Sequence, residues 1–151
     1  MDIILQAGRC APSAWDAQSC SYVVISDRAV IHRLAQITAK HLGGEIGDHH
    51  FFGAVNLILL YGERGYFDLH YDTGTAVQNM FIAASGLGIG SVWVNQLITI
   101  TEEPDVIELL EELGIPSTHY VSAIAVFGYA AEKPIMSERT SKVRYIREEG
   151  N

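Results

Sequence analysis

The amino-acid sequence predicts an α+β fold, in which a central antiparallel or mixed sheet of about four or five strands is flanked by helices. Helix-like and strand-like segments mingle without the regular alternation that gives a doubly wound parallel sheet. Segments 54–61 and 120–127 are nearly continuous apolar runs, typical of buried strands. Between them lies an almost wholly apolar helix, which we expect to be enclosed on most sides.

The first third of the chain predicts a helix, a strand and a second helix. Residues 2–10 form the first helix, which ends before Pro12 because the residue preceding a proline is pushed out of the helical region. Residues 21–26 are rich in β-forming side chains and predict the first strand. Asp27 follows as the cap of a helix that runs to about Leu42.

Two loops are expected around the buried strand at 54–61. Three glycines within 41–52 predict a loop before it, and a second loop covers residues 62–71. This second loop is aromatic, and it is a plausible lid over a substrate, although aromatic residues in loops more often pack against the protein body. The aromatic residues concerned are Tyr61, Tyr66, Phe67 and Tyr71.

The apolar central helix is expected to be capped at its start by Asp72 or Thr73. Gln78 and Asn79 lie inside it, and we expect both amides to be paired, because an unpaired buried amide costs about 1–3 kcal/mol. Bonds to backbone or across a dimer seam are the favoured partners. Three glycines then end the helix and turn the chain into a strand at 91–94: Gly86, Gly88 and Gly90.

The last third predicts an amphipathic acidic helix, a buried strand and a polar tail. The helix lies within residues 102–113 and ends at Gly114. The strand at 120–127 follows, and residues 143–147 are expected to form a short edge strand. An isolated strand in a polar tail suggests that the tail reaches over a partner subunit and pairs with the edge of its sheet.

Composition narrows the class of protein. A length of 151 residues fits a single domain, 1–151, and the 48% hydrophobic content is that of a folded protein. The net charge of −8 argues against a nucleic-acid partner. No apolar run approaches the ~20 residues of a membrane-spanning helix, so we expect a cytoplasmic protein without a membrane partner. Cys10 and Cys20 are read as reduced structural thiols.

Common catalytic motifs are missing. The spaced glycines at 86–90 follow a helix and precede a strand, whereas a dinucleotide fingerprint requires the reverse order. Potential metal ligands cluster at Asp48, His49 and His50, with His41 nearby, but we expect no metal site because adjacent residues seldom point at one ion. No serine has the setting of a nucleophile. An enzyme of this kind therefore needs chemistry supplied by a cofactor.

Three sequence elements, in this order and spacing, resemble the nitroreductase family of flavin enzymes. They are the Ala-Pro-Ser-Ala-Trp-Asp-Ala-Gln turn at 11–18, the central helix with Gln-Asn and Gly-Leu-Gly before Trp93, and the Gly-Tyr-Ala-Ala-Glu-Lys-Pro stretch at 128–134 with Arg139 beyond it. The resemblance covers essentially the whole chain. It implies a nitroreductase-like, interlocked homodimer with FMN at the subunit interface, hydride donation by NADH or NADPH, and nitroaromatic or quinone-like acceptors.

The resemblance also implies which residues hold FMN. One subunit would approach the flavin with its turn, and the other would lie against the ring with the segment 93–96, where the Asn95 backbone N–H faces flavin N5. Trp93 is read with equal weight as a core aromatic beside the pocket. Arg139 would reach the phosphate, with Lys142 as a second candidate. The residues expected to bind the cofactor are Pro12, Ser13, Ala14, Asp16, Gln18, Trp93, Val94, Asn95, Gln96, Arg139 and Lys142.

Two departures from the family pattern bear on cofactor binding. The Arg-Ser-x-Arg element that grips FMN in the family is absent, which suggests a domain truncated at its N-terminus, an early start assignment or a divergent short member. Asp16 stands where the family has Asn, which removes an amide donor and adds negative charge. Both changes are expected to weaken FMN binding. The alternative hypothesis is therefore a non-catalytic dimeric flavin- or ligand-binding protein that kept the fold.

Overall fold

A computed structural model describes residues 1–43, 50–132 and 135–147. It confirms the α+β prediction, with a four-stranded, wholly antiparallel sheet of strand order β1-β2-β4-β3. The helices and strands, in chain order, are α1 (Asp2–Arg9), β1 (Ser21–Ile25), α2 (Arg28–Leu42), β2 (Asn56–Glu63), α3 (Leu69–Gly86), β3 (Gly90–Val94), α4 (Pro104–Glu112) and β4 (His119–Gly128).

Helices cover both faces of the sheet. On β2, Leu57 and Leu59 face a core shared with α2 and α4, whereas Ile58 and Leu60 face a second core shared with α1 and α3. All four side chains are fully buried. Because a strand with two buried faces has no solvent side, it loses the alternation of polar and apolar residues and appears as the continuous apolar run noted in the sequence.

Most of the predicted elements are found within two residues of their expected limits. Asp27 caps α2 as predicted, and its carboxylate accepts hydrogen bonds from the backbone N–H groups of Ala29, at 2.7 Å, and Val30, at 3.4 Å. β2 begins and ends two residues later than expected. Of the loop expected at 41–52, residues 44–49 lie outside the described residues.

The predicted start of the central helix is wrong. α3 begins at Leu69 with Asp68 as its N-cap residue, so the expected aromatic loop is shorter, and Tyr61 lies in β2 instead. Asp72 is only 4% exposed and gives its carboxylate to another segment of the chain, while the Thr73 hydroxyl donates to the Leu69 carbonyl oxygen. Neither side chain is therefore free to cap the helix.

The expected enclosure of α3 is also wrong for a single chain. Ile82 is 62% exposed and Tyr71 is 65% exposed, and Gln78 on the same stripe is exposed as well. Asn79 is paired as predicted, because its side-chain N–H donates to the Ala7 carbonyl oxygen of α1 at 3.2 Å. An apolar helix with one exposed stripe has a face available to another chain.

The end of the chain has no regular structure within its described part. Residues 135–147 are irregular and exposed, including Val143, Tyr145 and Ile146. The edge strand expected at 143–147 is not formed within the chain itself, so pairing with a partner stays a prediction. In the described ranges, none of the helices has the length and apolar character needed to cross a membrane.

Candidate functional site

The segment that joins α1 to β1, residues 10–20, carries five of the predicted site residues and is called here the α1–β1 loop. Its backbone is strained: φ is +56° at Trp15, +54° at Asp16 and +48° at Gln18. The left-handed region costs a residue other than glycine about 1–2 kcal/mol per position. The loop therefore requires contacts from other parts of the chain to hold this shape.

Helix α3 supplies these contacts. One carboxylate oxygen of Asp72 accepts from the Ala14 backbone N–H at 2.8 Å, and the other accepts from the Ser19 hydroxyl at 2.6 Å. One turn further on, the Thr75 hydroxyl donates to the Pro12 carbonyl oxygen at 2.9 Å. Hydrogen bonds to a charged partner contribute about 1.5–3 kcal/mol each, which is the scale of the backbone strain.

Contacts inside the loop complete its shape. The Ser13 hydroxyl accepts from the Gln18 backbone N–H at 2.9 Å. Pro12, Asp16 and Gln18 are exposed, and Ser13 and Ala14 are half-buried. The five predicted residues therefore lie on one short, fixed segment that is open to solvent.

A groove of about 590 Å³ runs beside the loop, between α1 and the start of β1. Burial is the main cause that raises the pKa of the Cys20 thiol to about 11; a hydrogen bond with Ser19 opposes this rise, and the neighbouring carboxylate of Asp72 adds to it. Burial likewise raises the pKa of Tyr22 to about 12. Both groups are neutral at physiological pH, so neither supplies a nucleophile to this groove.

The second predicted group lies at the end of β3. Val94 is buried, whereas Trp93 is 38% exposed and donates its indole N–H to the Asn95 side-chain oxygen at 2.6 Å. The Asn95 backbone N–H donates to the side-chain oxygen of Gln96 at 3.1 Å, in an exposed hydrogen bond. The Gln96 side chain therefore occupies the Asn95 N–H. A nitrogen atom of a bound ring could accept from this N–H only after the Gln96 side chain has moved away.

The two groups lie at the same end of the sheet on opposite edges. Ser21 of β1 pairs with Tyr61 of β2, which pairs with Val121 of β4, and Val94 of β3 lies beside Ile124. Three inter-strand spacings separate the edge strands, or about 14 Å. Groups on opposite faces of one flat ring stand only about 7–8 Å apart, at van der Waals contact on each side. The spacing of the two edge strands is therefore larger than the separation of two groups that hold one ring between them.

The predicted phosphate ligands lie in the tail. Arg139 and Lys142 are exposed, and neither forms an ion pair with the rest of the described chain. The structure does not bring them to the α1–β1 loop or to the end of β3. Among the residues described, none of the His, Cys, Asp and Glu side chains form a group of three suited to a metal ion, and Asp48 and His49 lie outside that part.

Two features of this end of the sheet were not foreseen from the sequence. The first is Asp72, which anchors the α1–β1 loop; an acidic residue inside an otherwise apolar helix was the signal for it. The second is a polar network in which the Ser122 hydroxyl lies 2.9 Å from His70 Nδ1 and 3.0 Å from the Thr73 hydroxyl. The Tyr120 hydroxyl lies 3.3 Å from His70 Nε2, and burial raises the pKa of Tyr120. Tyr120 and Ser122 are isolated polar residues on the mostly apolar strand β4, and their sequence positions do not predict a network with His70.

The fold is that of an α+β protein, and the family model and a solved relative assign it to the oxidoreductase class. Its family follows from sequence and structure together. The chain belongs to the nitroreductase family, whose model matches residues 1–129. This confirms the resemblance described from the sequence motifs.

Individual relatives agree with this assignment. A nitroreductase of Bacteroides fragilis with bound FMN is 30% identical, with a TM-score of 0.81 over 97% of this chain and 84% of its own. A Desulfitobacterium hafniense nitroreductase, at 21% identity and a TM-score of 0.85, covers 97% of this chain and 85% of its own, and it shares the fold. An Archaeoglobus fulgidus protein provisionally named NADH dehydrogenase/NAD(P)H nitroreductase is 28% identical over 130 residues, 86% of this chain and 72% of its own.

Proposed function

We propose that this protein is a homodimeric, FMN-dependent oxidoreductase that takes hydride from NAD(P)H and reduces nitroaromatic or quinone-like acceptors. Family membership supports the reaction class. The FMN bound to the Bacteroides fragilis relative supports the cofactor, and the name of the Archaeoglobus fulgidus relative supports the hydride donor. The cytoplasmic location stays a prediction.

The observation that carries the proposal is the placement of the two site segments. They lie at one end of the sheet and adjoin opposite edge strands, and those strands are about 14 Å apart by strand spacing. Each segment has residues exposed to solvent, among them Asp16 in the loop and Asn95 beyond β3, as a surface that binds a flat ring requires. A site completed by the loop of one chain and the β3 end of another follows from this separation.

Each chain also has surfaces suited to the dimer. The exposed stripe of α3 presents Tyr71, Gln78 and Ile82, and the amide of Gln78 would find across the seam the partner that it lacks within the described chain. Among the described residues, β1 is an edge strand that pairs on one side only. The exposed tail at 135–147 is long enough to cross to such an edge in a second chain.

The residues present fit FMN. Bound FMN supplies the redox chemistry, because its ring accepts a hydride and passes electrons on to an acceptor. The backbone from Pro12 to Asp16, held by α3, would contact the ring from one subunit. The Asn95 N–H would donate to the ring from the other, once the Gln96 side chain has turned away. Arg139 and Lys142 would contact the phosphate.

Flavin titration and turnover test the proposal together. Purified protein is expected to gain flavin absorbance with FMN, and to oxidise NADH or NADPH with menadione or a nitrobenzoate as acceptor. Removal of the flavin is expected to abolish that activity. Protein that carries no flavin absorbance after excess FMN has been removed by gel filtration would refute the proposal. Bound FMN without turnover would support the alternative, a non-catalytic dimeric flavin-binding protein.

Gln96→Ala tests the Asn95 contact specifically. It removes the side chain that occupies the Asn95 N–H, so the N–H no longer has to leave an internal partner when FMN binds. The exposed hydrogen bond contributes about 0.5–1.5 kcal/mol, so FMN should bind about twofold to tenfold more tightly. Weaker binding would show that Gln96 itself contacts the cofactor.

A further inference from the structure

Asp72 is a buried carboxylate that belongs to α3 in sequence but hydrogen-bonds another segment. It is 4% exposed, and both of its oxygens accept hydrogen bonds from the α1–β1 loop, more than fifty residues away along the chain. The partners are the Ala14 backbone N–H and the Ser19 hydroxyl. These two groups flank the three residues with positive φ, so the carboxylate ties both ends of the strained stretch.

The α1–β1 loop also contacts β2 and a second residue of α3, so Asp72 is not its only support. The Ser19 carbonyl oxygen lies so near Gly62 of β2 that a Cβ there would stand 2.8 Å from it. The Thr75 hydroxyl holds the Pro12 carbonyl oxygen at the other side of the loop. The loop thus rests on β2 and is held by α3, while Pro12, Asp16 and Gln18 face outward.

We propose that Asp72 is a positioning residue for the cofactor site: it holds the α1–β1 loop in its FMN-binding shape without contacting FMN. This inference rests on the proposed function. A loop that reaches the binding shape only part of the time binds more weakly in proportion to that fraction. Asp72 keeps the binding shape populated before FMN arrives, and the loop then pays no ordering cost on binding.

Asp72→Ala is the primary test, in the full-length protein titrated with FMN. It removes both acceptors, so the strained stretch relaxes and the dissociation constant for FMN is expected to rise about tenfold to a hundredfold, the effect of losing one to two such hydrogen bonds. Asp68→Asn is the matched control. It removes the same charge one turn earlier on α3, from a side chain without a capping hydrogen bond, and FMN affinity should stay within about threefold.

Asp72→Asn separates the hydrogen bonds from the charge. Its amide oxygen accepts from the Ala14 N–H, and its NH₂ group donates to the Ser19 oxygen once that hydroxyl has rotated. FMN affinity is expected to return to within about threefold of the parent protein. A merely structural role would instead lower the melting temperature of Asp72→Ala and leave the FMN affinity and the visible circular dichroism of bound flavin unchanged. That result would overturn the proposal.

Hydrogen exchange in the flavin-free protein separates this inference from the proposed function. The Ala14 amide is expected to exchange slowly in the parent protein and in Asp72→Asn, and faster by tenfold or more in Asp72→Ala. Slow exchange at Ala14 in Asp72→Ala would refute the proposal that Asp72 holds the α1–β1 loop, whatever the protein binds. A protein that shows the exchange difference but takes up no FMN would instead refute the proposed function. Should Asp72→Ala fail to fold, Ser19→Ala removes one of the two hydrogen bonds and gives the same comparison with a smaller effect.

Discussion

Gly62 of β2 is the position at which a single methyl group would disturb both the core and the α1–β1 loop. A Cβ at this position would stand 2.5 Å from Leu69 Cδ1 and 2.8 Å from the Ser19 carbonyl oxygen. Leu69 is fully buried and cannot swing aside into solvent. Ser19 is contacted through its backbone, which has to move by about 0.6 Å to restore ordinary van der Waals contact.

The expected cost of Gly62→Ala follows from these contacts. Overpacking of this kind costs about 1–3 kcal/mol in the free energy of unfolding. For a chain of this length, that lowers the melting temperature by roughly 2–12 °C. Because the displaced carbonyl belongs to the loop that Asp72 holds, FMN affinity should fall as well, by severalfold.

Thermal unfolding at a fixed protein concentration, followed by flavin titration, measures both effects. A fixed concentration is needed because the stability of the proposed dimer would depend on it. Gly128→Ala is the matched control, since Gly128 also lies in a strand but a Cβ there meets no heavy atom within 4 Å. Its melting temperature should change little. A Gly62→Ala protein as stable as the control, with the same FMN affinity, would show that close packing between Gly62 and Ser19 does not hold the α1–β1 loop.

Three further outcomes are expected. Cys10 should be alkylated by iodoacetamide well before Cys20 at pH 8, because Cys10 is exposed and a pKa of about 11 leaves roughly one thiol in a thousand of Cys20 ionised; equal rates by mass spectrometry would contradict this. Asp105→Asn should lower the unfolding free energy at pH 7, because the hydrogen bond from Lys40 lowers the pKa of Asp105 from 3.8 to about 2. That stabilisation is present above pH 3.8 and is lost as the pH falls through about 2, so urea titrations in which the two proteins differ as much at pH 2 as at pH 7 would contradict it. Asn79→Ala removes the hydrogen bond to α1 and should cost about 0.5–1.5 kcal/mol in urea unfolding, and no loss would show that the bond contributes nothing.

The sequence predicted those parts of the fold that have a local signal. The Asp27 cap is a contact between near neighbours, and the apolar runs of β2 and β4 report burial on both faces. The predicted start of α3 is wrong because Asp is a residue type that caps helices, whereas Asp72 holds the α1–β1 loop. This role depends on a contact with Ala14, which is too distant along the chain to be recognised from local sequence.

The role of the candidate site in binding a cofactor stays a prediction, and the structure adds the positions of its segments in the fold. The turn at 11–18 and the segment 93–96 were identified from motifs, and the structure places both at one end of the sheet. Their separation follows from the strand order, which local sequence does not encode. The positive φ of Trp15 was equally hidden, because a bulky aromatic residue rarely adopts that backbone region and the surrounding contacts impose it.

The placement of the two site segments on opposite edge strands has a genetic consequence. If each cofactor site takes its loop from one chain and its β3 end from another, two different defective chains can repair one another. A chain damaged only in the loop and a chain damaged only at the β3 end would form a mixed dimer with one intact site and one doubly damaged site. With random assortment, half of the dimers are mixed, and co-expression would restore about a quarter of full activity from two inactive parents.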